Sequence, residues 1–177
     1  MTDRIKKIRK QILFDNEQSV SKALKSIKEL QGLTQEEKID LTAALSTIFY
    51  HHDHTGVTGM NRIAVRAEKQ IARFGVEVID FLIEELVNAD AESAAYLGRT
   101  IAMSGSYAIE RLLETWDEYE TDEFAVINIV QSISYTKSAA VSKAIPRILV
   151  AAKSDNFQLR SIALYTIGQY NKRHLMT

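Results

Sequence analysis

This chain has no cysteine, a single proline (Pro146) and only seven glycines among its 177 residues. The missing thiol excludes a disulfide framework, a thiolate zinc site and a cysteine nucleophile. So few breakers favour long helices over a turn-rich β fold. No uninterrupted apolar run of about 18 residues occurs, so no membrane-spanning helix is expected. The opening residues, MTDRIKKIRKQILFDNE, lack the apolar stretch of a secretory signal, and a soluble cytoplasmic protein is expected. Catalytic signatures are missing as well. There is no Gly-rich phosphate loop, no Gly-x-Ser-x-Gly and no His-Glu-x-x-His. No catalytic residue and no cofactor is expected.

What the chain does have is apolar residues at helical spacing. Ile5, Ile8 and Ile12 share one face of a first helix. Asp15-Asn-Glu-Gln18 resembles a capping box opening a second, with Val20, Ala23, Leu24, Ile27 and Leu30 as its stripe and Gly32 at its C-terminal end. Thr34-Gln-Glu-Glu37 is a clear capping box for a third, which runs to about Tyr50 and buries Ile39, Leu45, Ile48 and Phe49. Residues 51–59, with two Gly and no apolar period, read as a loop. From Met60 onward every segment again reads as helix, and no strand is expected.

Three segments align without gaps: Val78-Ile-Asp-Phe-Leu-Ile83, Ala108-Ile-Glu-Arg-Leu-Leu113 and Ala144-Ile-Pro-Arg-Ile-Leu149. Each is followed by a polar turn and a further helix, with Ile101, Ile133 and Ile167 at matching places. Units of this length, each a pair of short helices, are the signature of an α-solenoid. The register places Ile79, Leu82, Leu86, Ile101, Ile109, Leu112, Ile133, Ile148, Leu149, Leu164 and Ile167 in the core.

Ala144–Gly168 resembles a HEAT repeat of the short type found in phycobilin lyases. Pro146 falls in the first turn of a helix, where its missing N–H costs nothing. Asp155 falls at the inter-repeat turn, and Arg160, Ala163, Ile167 and Gly168 on the helix after it. The resemblance implies an all-α protein, a right-handed solenoid of antiparallel helix pairs. It covers residues 1–177 as one HEAT-like domain, with residues 1–59 divergent and 60–177 clearer. It also implies a binding scaffold or adaptor for another protein, without catalysis. The alternative is an enzyme or enzyme accessory on that scaffold, either a chromophore-lyase-like subunit or a nucleic-acid repair protein.

The charges point towards a basic protein partner. Net charge is −1, yet residues 76–123 carry thirteen acidic and two basic groups, and residues 124–177 carry one acidic and seven basic. On successive equivalent helices Glu77, Asp80, Glu84, Glu85, Glu110 and Glu114 form a candidate ladder for such a partner. The strip Glu114–Glu123 reads as a loop and adds Trp116, Tyr119 and Phe124 as candidate anchors, although Trp116 aligns with Leu86 and so also reads as core. Five Lys/Arg within Arg4–Lys10 could touch phosphate or a membrane surface, but the acidic centre argues against nucleic acid, and no membrane partner is expected. His51, His52 and His54, around Asp53, are the candidate metal ligands, though adjacent residues chelate one ion poorly and a polar surface loop explains them as well. No oligomeric state follows from these patterns.

Overall fold

The three isoleucines at intervals of three and four do fall on one face. All are buried by α1 (Asp3–Leu13) in this computed structural model, which describes residues 3–13, 16–50 and 59–174. After α1 come α2 (Glu17–Lys28) and α3 (Gln35–Ser46), the latter continued by a 3-10 turn at Thr47–Tyr50. Next are α4 (Gly59–Ala72), a 3-10 turn at Gly75–Val78 and α5 (Ile79–Val87). The remainder is α6 (Ala91–Ala102), α7 (Ser106–Glu118), α8 (Glu123–Tyr135), a 3-10 turn at Ala139–Lys143, α9 (Ile145–Ala151) and α10 (Phe157–His174). The protein is all-helical, with no strand among the described residues.

Side-chain caps set several helix starts. The Thr34 hydroxyl accepts from the Glu37 N–H at 3.2 Å, and the Glu37 carboxylate accepts from the Thr34 N–H at 3.2 Å, completing the expected capping box. The second helix is capped one residue later than its sequence suggests: Asn16 Oδ1 accepts from the Ser19 N–H at 2.8 Å, and Asp15 lies outside the described residues. α2 ends at Lys28, so Gly32 is not its cap but a turn residue with φ of 66°. Asp90 and Asp122 cap α6 and α8 in the same manner as Asn16.

The chain divides into two compact units, Met1–Phe81 and Leu82–Thr177, with the boundary inside α5. In the first, α1 packs on α2 and α3, and α4 on α2 and α3. In the second, α8 lies against both α6 and α10, while α7 packs on α8 and α9 on α10. The contact of α6 with α8 is close. A Cβ added to Gly98 would meet Ser132 Cα at 3.2 Å, and the Ser132 hydroxyl donates to the Gly98 carbonyl at 3.3 Å.

Of the residues assigned to the core, Ile79, Leu82, Leu86, Ile101, Ile109, Leu112, Ile133 and Ile148 are buried. Ile39 and Ile167 are half-buried. Leu149 and Leu164 are not core: they are 49% and 55% exposed. Both belong to the last helix pair, and no described element covers their side. Their equivalents one pair earlier in the alignment show what covering does. Val130, at the place of Leu164, is fully buried, and Leu113, at the place of Leu149, is half-buried.

Candidate functional site

α7 does not stop at the acidic strip. Glu114 through Glu118 are helical, and only residues 119–122 form the turn into α8. This corrects the loop expected there and has a consequence for Trp116. On the last turn of α7, its indole is 8% exposed and forms the floor of a groove. The groove lies between the α7/α8 pair and the α9/α10 pair and encloses about 860 Å³. Val126 of α8, Val150 and Ala151 of α9, and Leu159 of α10 complete its apolar lining. Val150 is 73% exposed.

The rim is charged. Asp117, Glu120, Glu123 and Asp155 stand around the groove with Arg147 and Lys153. Arg147 is fixed: it donates to the Leu113 carbonyl at 2.8 Å and to the Asp117 carboxylate at 2.8 Å. Glu123 accepts from Asn156 Nδ2 at 2.8 Å, and the Asn156 Oδ1 caps α10 through the Gln158 and Leu159 N–H groups. Arg160 donates to the Ser154 carbonyl at 2.5 Å and so holds the α9–α10 turn. With Arg147 spent on Asp117, the charges without an ion pair among the described residues are Glu120, Asp155 and Glu123, which also accepts from Asn156, against Lys153. The groove is therefore a preformed apolar trough with an acidic excess.

The acidic residues singled out from the sequence are placed differently. Glu77 and Asp80 belong to the first unit, and Glu84, Glu85, Glu110 and Glu114 to the second. Glu77 is ion-paired with Lys38, and Glu114 with Arg111. Glu110 accepts from Lys143 at 2.7 Å. Glu84 is exposed and Glu85 half-buried, with no ion pair among the described residues. A basic partner on Glu77, Glu110 or Glu114 would first have to displace an intramolecular cation. Of the suggested anchors only Trp116 lines the groove. Tyr119 is half-buried in the turn and Phe124, 49% exposed, stands outside it. Val150, Leu159 and Asp155 were not singled out as binding residues, because their meeting with Trp116 depends on two helix pairs packing side by side.

His51, His52 and His54 lie outside the described residues. Among those described, no group of three or more His, Asp or Glu side chains could hold a metal ion. No described helix is long and apolar enough to cross a membrane. The basic side chains of α1 are partly engaged, Arg4 with Glu29 and Arg9 with Asp40.

An all-helical protein with a preformed surface groove is the class that fold and site define. No family model matches the chain, and no curated protein or solved structure matches it either.

Proposed function

We propose that this chain is a non-catalytic, HEAT-like interaction module, and that its groove receives a basic segment of another protein. The observation that carries this reading is the groove's composition: a buried tryptophan floor, an exposed valine wall and an excess of unpaired carboxylates on the rim. Aromatic anchors in preformed pockets supply most of the energy of protein recognition, and the rim charge sets sign and approach rate. A volume of about 860 Å³ holds one or two large side chains with their flanking backbone. The fitting ligand therefore has an aliphatic or aromatic tip flanked by Lys or Arg.

The repeat reading supports this. α8 sits between α6 and α10, α7 packs on α8 and α9 on α10. Helix pairs side by side are what a solenoid would present, and its stacked pairs leave grooves between them. The solenoid's cytoplasmic setting belongs to the same proposal.

The test is selection from a displayed random-peptide library on the immobilised protein. Enriched peptides should combine Lys or Arg with Leu, Phe or Trp, and lose at least about tenfold in affinity to a Glu120→Lys/Val150→Lys variant, as a central contact of 1.4 kcal/mol or more implies. Both positions are exposed, so the variant should melt like the parent. Peptides without basic bias, or indifferent to the variant, would remove the groove from consideration.

A further inference from the structure

α10 has two faces. Leu159, Ala163 and Thr166 are buried where it packs on α8 and α9. Phe157, Ser161, Leu164, Tyr165, Gly168 and Lys172 are all exposed, and at 100° per residue they fall within about 100° of one side. Three of these are large and apolar: Phe157 is 72% exposed, Leu164 55% and Tyr165 53%. A helix of 18 residues with apolar groups on both sides is the pattern of an element covered on both sides. The burial of Val130 at the place of Leu164 shows the coverage that this position has one pair earlier.

The face selects by shape rather than charge. α10 contains no Asp or Glu, and no charged residue lies between Arg160 and Lys172. Arg160 is already bonded to the Ser154 and Asp155 carbonyls, with its guanidinium 5.8 Å from the Phe157 ring centre. A partner chosen by charge would find little to read. The shape, in contrast, alternates bulk and gap: Phe157, then Ser161, then Leu164 with Tyr165, then Gly168. A Cβ placed on Gly168 meets nothing within 4 Å, so the gap there is open.

This row complements itself when reversed. We propose that a second copy of the chain docks on this face, with the two α10 helices antiparallel about a two-fold axis. With the axis between Ile162 and Ala163, Phe157 of one copy comes opposite Gly168 of the other, and Ser161 opposite Leu164. Each contact occurs twice, as a two-fold interface requires. The chain's net charge of −1 gives little repulsion between copies. An 18-residue helix is about 27 Å long, and two crossing over that length bury on the order of 1,000 Å² in total, at the low end for specific association. The dimer should therefore be reversible, with Kd on the order of 10 µM.

Sedimentation velocity on the full chain between about 1 and 200 µM, a range that brackets this Kd, reads the equilibrium directly. Phe157→Gly removes the knob and Gly168→Phe fills the hole. Each alone should weaken the dimer at least about tenfold, the loss expected for a central contact. Placed together in one chain they exchange knob for hole on both sides and should restore it. All three variants change exposed positions, and thermal melts at low micromolar concentration report whether the monomer fold is kept. A chain monomeric across that range, or a dimer that both single variants leave intact, would overturn the proposal. A double variant as weak as the singles would overturn the antiparallel register. Neither result bears on peptide capture by the groove, which is read in a separate assay.

Discussion

Two buried polar side chains show how differently one hydrogen-bonding group can act. Asn128 is 2% exposed, and its Nδ2 donates at 2.9 Å to both the Leu86 and the Ala89 carbonyls. The Leu86 carbonyl lies in the last turn of α5 and also accepts from the Ala89 N–H at 3.2 Å, whereas the Ala89 carbonyl lies just beyond the helix. Asn128→Ala would strip this donor from Ala89 and leave Leu86 with one, and should destabilise the protein by about 1–3 kcal/mol in urea unfolding. Thr42 is the opposite case. It is fully buried, and its hydroxyl has no partner among the described residues. Thr42→Val keeps the shape and deletes the unpaired group, so it should stabilise by up to about 1 kcal/mol in the same assay. A loss of stability on that substitution would mean that the hydroxyl is satisfied after all.

At the scale of elements, the repeat register has different consequences in different pairs. Leu112 of α7 is fully buried, whereas Leu149 of α9 is 49% exposed. Leu112→Asp places a charge in the core and should abolish the cooperative melt or cost more than about 4 kcal/mol. Leu149→Asp should stay within about 1 kcal/mol of the parent. Equal effects at the two sites would contradict the packing described. The sequence alone reads both as core, because periodicity reports which face of a helix is apolar and not whether another element arrives to cover it. Helix existence, the Thr34 capping box and the stripes of α1 and α2 were legible for a related reason: each rests on residues within one or two turns. The groove was legible only in its local half. Trp116, Asp117, Glu120 and Glu123 stand together in the sequence, whereas Val150 and Leu159 reach them through packing over 27 to 43 residues. Asn128 had no local signal, since its partners are 42 and 39 residues away.

For the whole molecule, the uneven charge finds its counterpart inside the second unit. The acidic stretch before residue 124 meets the basic stretch after it through Lys143 with Glu110 and Arg147 with Asp117. Exposed pairs such as these each add little stability and are screened by salt. What they leave behind is an acidic groove and an α10 face with no charge between Arg160 and Lys172, and salt should separate the two. Raising sodium chloride from about 0.05 to 0.5 M shrinks the screening length to a few ångströms and should weaken capture of basic peptides several-fold. The same change should leave the α10 dimer as tight or tighter, because apolar burial does not depend on screening. Parallel loss of both would show that one of these surfaces is read incorrectly.

The pair of hydrogen bonds from Asn128 also has a temporal side. α5 runs across the boundary between the two compact units, and the turn that follows it is tied at the Leu86 and Ala89 carbonyls by a side chain on α8. While the chain is being made, that end of the helix stays open to water until some forty further residues have emerged. Completion of α5 is thus deferred, and its closing turn is expected among the late events of folding. Hydrogen exchange pulsed during refolding would show this as protection reaching the C-terminal turn of α5 no earlier than α8.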